Sequence, residues 1–222
     1  MTDKLMVTVA VLGGTGKEGS GLAMRWALNG YRVIIGSRDA ERAVEKAKEL
    51  NTALGGDYLT GMSNIDATQA ANLVVLSVPY SAHQATLASV KEQLTGKVLI
   101  DVTVPLQPPN VRTVYIPEGK AAGLEAQAFL GEQVKVVSAF QNVSAEKLKD
   151  PHATVDCDVL VCGDDPEAKQ DVIKLVEAAG MRGIDAGPLA NAVAAEALTP
   201  VLLYINKTYK VKGAGIRITN LG

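Results

Sequence analysis

Continuous apolar runs alternate along the chain with segments whose apolar residues recur at helical spacing. The runs predict buried strands at residues 6–12, 31–38, 73–79, 97–102, 134–139, 155–162 and 182–185. The amphipathic segments predict helices beginning near residue 16 and over residues 39–54, 64–71, 81–94, 120–130 and 166–179. Because strand and helix alternate, the sequence predicts an α/β fold built on a doubly wound parallel sheet.

The first predicted strand, which begins at Met6, runs into a glycine-rich stretch. Gly14, Gly16 and Gly19 have the G-x-G-x-x-G spacing. We expect Gly14 to make a tight turn, Gly16 to let backbone approach a pyrophosphate, and Gly19 to let the helix pack on the strand. The helix would also direct free N–H groups at phosphates. A glycine turn without a ligand is the alternative, but the strand before it and the helix after it favour a dinucleotide site.

Two domains follow from this pattern. Residues 1–150 form a predicted Rossmann-type dinucleotide-binding domain, and residues 151–222 form a small, mainly helical C-terminal domain. The boundary is soft because the strands predicted at 155–162 and 182–185 can extend the same sheet. A long helix from Leu189 to about Tyr209 is apolar around most of its circumference. We expect it to be buried against the first domain and a second subunit, which predicts a homodimer.

The end of the second predicted strand indicates which dinucleotide binds. NAD sites normally carry an acidic residue there, whereas this chain has Ser37 and Arg38, which suit a 2′-phosphate. NADP is therefore the predicted cofactor. Arg42 lies one helical turn further on and either reaches the same phosphate or is an ordinary surface charge.

Other strand ends fall on the side of a parallel sheet where ligands bind. They bring Val78, Tyr80 and Gln141 to this edge, where Tyr80 packs either on a cofactor or in the core. The proline-rich stretch 104–119 is an irregular loop of the kind that walls active sites. We interpret His83 as a structural or surface residue, because no carboxylate or cysteine lies near it in the sequence at a spacing that would predict a functional pair.

Composition and charge narrow the classes of function. A net charge of −2 without a basic block argues against nucleic acid. The first predicted strand begins so early that we expect no signal peptide before it. The apolar stretch Leu189–Ile205 is short for a membrane span and contains Glu196 and Pro200, so we expect no membrane partner. Cys157 and Cys162 would lie on opposite faces of one strand, about 16 Å apart. We therefore predict reduced thiols, a cytoplasmic protein and no metal site.

With these residues in place, the chain resembles the NADPH-dependent F420 reductases, also called coenzyme F420:NADP oxidoreductases, over nearly its whole length. The resemblance rests on the segments Leu12–Gly16, Gly36–Arg38, Val78–Tyr80, Val137–Phe140, Val161–Asp165, Asp185–Leu189 and Leu198–Pro200. The first three segments occur in many NADP enzymes, and the later ones are more particular to the family.

The resemblance implies NADP in the N-terminal domain and the deazaflavin coenzyme F420 in the cleft between the two domains. It maps the family's NADP contacts onto Thr15, Gly16, Lys17, Glu18, Ser37, Arg38 and Arg42. Gly14, Val78, Tyr80 and Gln141 complete the predicted cofactor site. The chain departs from many relatives at Gln141, where they carry His, and at Ser144, where they often carry Pro. A role that needs a titratable imidazole at position 141 is therefore in doubt.

The implied reaction is direct hydride transfer between C4 of the nicotinamide and C5 of the deazaflavin. Such a step needs alignment and exclusion of water but no catalytic side chain, so we assign none. One alternative is an NADP-dependent reductase of a small imine or carbonyl, with Glu196, Tyr204 or Tyr209 as proton donor. Another is a non-enzymatic NADPH sensor, which would keep the glycine loop and Arg38 but lack a second cofactor cleft.

Overall fold

The computed structural model describes residues 7–221, so the predicted strand start at Met6 lies outside the described residues. The strands are β1 (Thr8–Leu12), β2 (Arg32–Ser37), β3 (Leu59–Ser63), β4 (Leu73–Leu76), β5 (Val98–Asp101), β6 (Lys135–Ser138), β7 (Asp158–Gly163) and β8 (Arg182–Asp185). The helices are α1 (Lys17–Leu28), α2 (Ala40–Leu54), α3 (Asn64–Ala70), α4 (Tyr80–Leu94), α5 (Ala122–Leu130), α6 (Ala145–Leu148), α7 (Pro166–Ala178) and α8 (Ala192–Thr208).

All eight strands form one sheet in the order β3-β2-β1-β4-β5-β6-β7-β8. Strands β1 to β6 are parallel, β7 is antiparallel to β6, and β8 is parallel to β7. The doubly wound α/β sheet predicted from the sequence is confirmed. The chain runs outward from β1 to β3 and then crosses to β4, so the ends of β1 and β4 form the switch point where ligands bind in such sheets. The last two strands extend this sheet, and the domain division near residue 150 stays a prediction.

Two apolar layers cover the faces of the sheet. One layer lies under α1, α2 and α7, and the other lies under α3, α4, α5 and α8. Successive residues of β1 point into opposite layers: Val9 and Val11 into the first, Ala10 and Leu12 into the second. The indole N–H of Trp26 donates to a carbonyl of α7 at 2.8 Å, which joins two helices of the first layer. Burial on both faces explains why the strands are continuous apolar runs.

The long C-terminal helix begins as a 3₁₀ turn over Leu189–Asn191 and continues as α8. Its buried face includes Glu196 and Pro200, but Val201 and Tyr204 are 44% and 57% exposed. The single chain therefore covers only one face of this helix, and its burial by a second subunit stays a prediction. Within residues 7–221, Leu189–Thr208 is the one helix long and apolar enough to cross a membrane by length and composition.

Other details differ locally from the predictions. The sequence pattern missed β3 and α6, which are short and weakly apolar. Strand β7 begins at Asp158, so Cys157 precedes the strand. Both cysteines are free and buried, Cys157 in the layer with α1 and Cys162 in the layer with α4, as their odd spacing predicts.

Candidate active site

The turn between β1 and α1 is built around Gly13. Gly13 adopts a positive φ of 77°, and its N–H donates to the carbonyl of Gly36 in β2 at 3.2 Å. A Cβ on Gly13 would lie 2.3 Å from the carbonyl oxygen of Ser77, so glycine is required for two reasons. We predicted the tight turn at Gly14; the structure places the left-handed residue one position earlier.

The three glycines of the motif have different surroundings. A Cβ on Gly14 would lie 3.1 Å from Ile35, and one on Gly19 would lie 3.0 Å from the Cα of Gly14, so α1 packs directly on the turn as predicted. Gly16 is exposed, and a Cβ there would meet only the carbonyl oxygen of Gly13, at 3.3 Å. The backbone at Gly16 is thus open to a ligand.

The start of α1 offers backbone donors without a side-chain cap. Gly16 caps the helix and has no side chain, so the N–H groups of the first turn are free for an anion. Thr15 is half-buried and Lys17 is exposed. Burial raises the pKa of Glu18 to about 8, so at neutral pH its carboxyl is largely protonated and adds little negative charge to this turn.

The end of β2 presents two arginines to solvent. Asp39 caps α2 as predicted, because its carboxylate accepts from the N–H groups of Glu41 at 3.0 Å and Arg42 at 3.3 Å. The Asp39 N–H in turn donates to Ser37 Oγ at 3.2 Å. Arg38 and Arg42 are exposed, and neither forms an ion pair with any residue from 7 to 221. Both guanidinium groups are therefore available to an external phosphate.

A cleft of about 700 Å³ opens between the first turn of α1 and α8. Its other walls are the end of β4, the loop after β5, the end of β6 and the segment after α8. The predicted site residues that line it are Gly16, Lys17, Glu18, Val78, Tyr80 and Gln141. Gly14 and Thr15 belong to the adjoining turn. Ser37, Arg38 and Arg42 lie outside the cleft, next to the strand residue that hydrogen-bonds to Gly13.

The sequence places the C-terminal helix beside the cleft but does not identify which of its residues form the wall. Thr199, Leu202, Leu203 and Asn206 line it. They recur at i, i+3, i+4 and i+7, which is one face of a helix. That spacing could have identified the wall, but the helix is so apolar overall that one face does not stand out.

Gln141 is a buried residue of the cleft with a fixed orientation. Its Nε2 donates to the carbonyl of Asp101 at 2.7 Å and to Ser138 Oγ at 2.8 Å. Because a carbonyl only accepts, the amide nitrogen must face Asp101. The Gln141 Oε1 then has no hydrogen-bond partner among residues 7–221. Thr199 Oγ1 donates to the Gln141 carbonyl at 2.6 Å and ties this wall to α8.

Beneath the cleft, His83 is paired with an acidic residue. Its Nε2 lies 2.7 Å from Asp101 Oδ2, and both side chains are buried. Burial lowers the pKa of His83, but the hydrogen bond and the charge of Asp101 outweigh it and raise the pKa above its usual value. The sequence did not reveal this partner of His83, because the two residues are 18 positions apart and meet only through the packing of α4 on β5. Asp101 Oδ1 also accepts from the Thr103 N–H at 3.0 Å, which orients a cleft residue.

The three candidate proton donors of the alternative hypothesis lie outside the cleft lining. The Glu196 carboxylate accepts from the N–H groups of Ala122 at 2.7 Å and Gly123 at 3.1 Å, so it caps α5. Burial raises the pKa of Glu196 to about 8, against the effect of these two donors. Tyr204 and Tyr209 are 57% and 72% exposed.

The chain after α8 is tied back onto the sheet. Residues 212–214 line the cleft. Beyond them, the Asp158 N–H donates to the carbonyl of Ile216 at 2.8 Å, and the Asp158 carboxylate accepts from the Ile218 N–H at 2.6 Å. Arg182 makes two further hydrogen bonds to this carboxylate, at 2.9 and 2.6 Å. The buried Asp158 therefore holds the segment that closes one side of the cleft.

Comparison with known proteins decides the family. Residues 8–105 match the family described as NADP oxidoreductase coenzyme F420-dependent. The F420-dependent NADP reductase of Methanothermobacter thermautotrophicus is 44% identical over 100% of this chain and 98% of that protein. The protein of the same name from Methanocaldococcus jannaschii is 45% identical over 96% of this chain and 98% of its own. The chain belongs to the F420-dependent NADP reductase family.

The family match and the full-length relatives cover different parts of the site. The family match ends at residue 105, so it spans the glycine turn and the ends of β2 and β4. Gln141, α8 and the segment after it follow residue 105 and are matched by the full-length relatives. Both halves of the cleft thus fall within the resemblance seen in the sequence.

Solved structures give the fold independently. A hypothetical protein, SMa0349 from Sinorhizobium meliloti, superposes with a TM-score of 0.70 over 86% of this chain and 88% of that chain, at 24% identity. At this identity the likeness concerns the fold alone, and it agrees with the predicted Rossmann-type architecture.

Proposed function

We propose that this protein transfers a hydride directly and reversibly between NADP(H) and the deazaflavin coenzyme F420. The F420-dependent NADP reductases that are about 44% identical over the whole chain support this assignment. The observation that carries it is the cleft, which has the free donors of α1 on one wall and an apolar helix on the other. Its volume of about 700 Å³ lies in the range of pockets that bind ligands of cofactor size.

In this proposal the N-terminal half of the site binds NADP(H). The turn from Gly14 to Glu18, exposed at Gly16 and Lys17, and the free N–H groups of α1 face the pyrophosphate. Ser37 and the unpaired guanidinium groups of Arg38 and Arg42 bind the 2′-phosphate. Val78, Tyr80 and Gln141 bound the nicotinamide end.

The second half of the cleft suits a flat aromatic ring. Leu202 and Leu203 of α8 line it together with Val78 and Leu106, so the walls are largely apolar. Gln141, whose buried Oε1 has no hydrogen-bond partner among residues 7–221, also lines this region. Nicotinamide and deazaflavin both carry electrons as hydride, and the protein's part is to hold the two rings together and keep out water.

The titratable side chains of the cleft include Glu18, on the α1 wall that we assign to the pyrophosphate, and Tyr80. Among the lining residues within 7–221 there is no histidine and no cysteine. The Tyr80 hydroxyl donates to Glu125 at 2.8 Å, and burial together with this contact raises the pKa of Tyr80 well above its usual value. A tyrosine held in this way is a poor proton donor, so we assign no catalytic residue.

The experiment that tests the reaction follows the hydrogen itself. NADPH labelled with deuterium at C4 is incubated with F420, and the label is located by mass spectrometry. We expect it on C5 of the reduced deazaflavin. Label in the solvent would contradict direct transfer. Parallel incubations with flavin mononucleotide, cyclic imines and ketones test the reductase alternative, and NADPH binding with no turnover of any acceptor would indicate a sensor.

We also propose that the protein acts as a homodimer in the cytoplasm. The exposed face of α8 at Val201 and Tyr204 supports the dimer, since a second copy would cover it. The two buried free thiols agree with a reducing compartment. Light scattering at micromolar concentration should give twice the mass of the chain, and Tyr204→Asp should reduce it to one. The control Tyr58→Asp places the same change on a tyrosine that is 44% exposed beside β3, and it should leave the dimer intact. A monomeric wild-type protein would contradict the proposal.

A further inference from the structure

The carboxylate of Glu125, in the first turn of α5, joins two walls of the cleft. Its Oε2 accepts from the Tyr80 hydroxyl at 2.8 Å, and its Oε1 accepts from the N–H of Gly119 at 3.3 Å. Tyr80 begins α4 and lines the cleft, while Gly119 ends the loop 104–119, whose first half also lines the cleft. A single side chain therefore fixes Tyr80 and this loop relative to each other.

The loop leaves room for this carboxylate at Gly119. A Cβ on Gly119 would lie 2.3 Å from Glu125 Cγ, so any other residue there would push the Glu125 side chain away. Tyr80 and Glu125 are both half-buried, which shields the hydrogen bond between them from competing water. The contact is thus part of the packed structure and not a free surface pair.

The Tyr80 ring is also held on one of its faces. His83, one turn further along α4, stacks on this ring with centroids 6.2 Å apart and an angle of 29° between the planes. His83 is fixed in turn by Asp101, the last residue of β5, at 2.7 Å. Because His83 supports the face of the ring and Glu125 holds its hydroxyl, the Tyr80 ring has one orientation in the cleft wall.

Helix α5 connects this arrangement to the opposite wall. The Glu196 carboxylate of α8 accepts from the N–H groups of Ala122 and Gly123 at the start of α5. Glu125 belongs to the same turn, so the helix itself sets its distance from these anchored residues. A chain of contacts therefore runs from α8 through α5 to Tyr80, and it fixes the separation of the two walls.

Hydride transfer depends steeply on how the two reacting carbons are aligned, and a misplacement of about 1 Å can slow a reaction roughly a hundredfold. We propose that Glu125 is a positioning residue for this step, which holds Tyr80 and the loop 104–119 so that the cleft keeps the width at which the two rings stack. Glu125 does not itself line the cleft, so it acts through Tyr80 and the loop. This inference rests on the proposed function.

Rapid mixing of NADPH, F420 and enzyme in a single turnover measures the hydride step, and calorimetry measures the Kd for NADPH. Glu125→Ala should slow hydride transfer roughly tenfold, the effect of one hydrogen bond. The Kd should change less than about twofold, because the phosphate contacts are untouched. Glu125→Gln keeps an oxygen that accepts from the Tyr80 hydroxyl and should restore most of the rate.

The chain offers a matched control just after α5. Glu132 is exposed and forms no hydrogen bond or ion pair through its side chain with any residue from 7 to 221. Glu132→Ala removes the same charge as Glu125→Ala and should leave both the rate and the Kd unchanged.

Two further measurements test whether Glu125 acts through Tyr80. Tyr80→Phe removes the same hydrogen bond from the other side, so it should also slow hydride transfer, and the double variant should be no slower than Glu125→Ala alone. Burial raises the pKa of Tyr80, and the hydrogen bond and charge of Glu125 raise it further. In an alkaline titration of phenolate absorbance without cofactors, one tyrosine should therefore ionise at lower pH in Glu125→Ala than in the wild type.

The outcomes separate this inference from the reaction on which it rests. Unchanged hydride transfer in Glu125→Ala, an equal loss in Glu125→Gln, or losses that add in the double variant would overturn the inference and leave the reaction in place. A wild-type protein that transfers no hydride to F420 would overturn the proposed reaction and this inference with it.

Discussion

Replacement of Arg38 by aspartate should reverse the cofactor preference of this protein. The Arg38 side chain is exposed and has no ion pair among residues 7–221, so its loss should leave the fold intact. A charged hydrogen bond is worth about 1.5–3 kcal/mol, and exposure favours the lower end. We therefore expect wild type to bind NADPH at least about tenfold more tightly than NADH, a difference of about 1.4 kcal/mol.

The assay is the ratio of Kd values for NADPH and NADH at fixed ionic strength. In Arg38→Asp the ratio should fall to about one or below, because the carboxylate repels the 2′-phosphate and accepts ribose hydroxyls. In steady-state kinetics the loss should appear in KM for NADPH and spare kcat, since the contact is the same in ground and transition states.

The same strand provides a matched control. Arg32 is also exposed, but it lies at the start of β2, six residues from Arg38 and so about 20 Å away at the opposite edge of the sheet. Arg32→Asp makes the same change in net charge and should leave the ratio unchanged. Equal affinities of wild type for the two cofactors, or a similar effect of Arg32→Asp, would refute the assignment of the 2′-phosphate to Arg38.

Three further predictions concern buried residues. Arg25→Met should lower the free energy of unfolding by roughly 3 kcal/mol, because the buried guanidinium donates to four backbone carbonyls. Denaturant titrations measure this loss, and a loss under about 1 kcal/mol would contradict the prediction. Gln141→Ala should lower kcat about tenfold, the value of one hydrogen bond, without adding pH dependence to the rate profile; a new titration would reveal proton chemistry. Folded Glu196, with its pKa near 8, binds its proton more tightly than the unfolded chain does. The stability that Glu196 contributes is therefore full below about pH 4.5 and is lost as the pH rises through 8. Unfolding free energies measured across that range should fall with pH in the wild type, and Glu196→Gln should remove this pH dependence.

The predictions from sequence succeeded where the determinants are local. The strands β1, β2 and β4 are apolar runs buried on both faces, and Asp39 caps α2 through groups two and three residues away. The glycine spacing was also assigned correctly to a strand, a turn and a helix. The spacing did not indicate that Gly13, the residue before the motif, is the one with a positive φ.

The predictions failed where the determinants are distant in the chain. His83 meets Asp101 only after α4 packs on β5, and Glu196 reaches α5 across 74 residues. The unpaired oxygens of Asn64 and Gln141 depend on what surrounds them in space, which composition and periodicity do not contain. The apolar composition of α8 predicted that one chain cannot cover the helix, but it did not indicate which residues, such as Val201 and Tyr204, form the exposed face.

The division of the cleft between distant segments has a consequence for how the protein folds. The glycine turn is made early in synthesis, and the strands beside it, β1, β2 and β4, all lie within the first 76 residues. The opposite wall, from Thr199 to residue 214, is made about 180 residues later, and its attachment through Asp158 spans some 60 residues. The strands around the glycine turn can therefore pair before the opposite wall has been synthesised, so a nascent chain should acquire a nucleotide-competent sheet before it acquires a closed cleft.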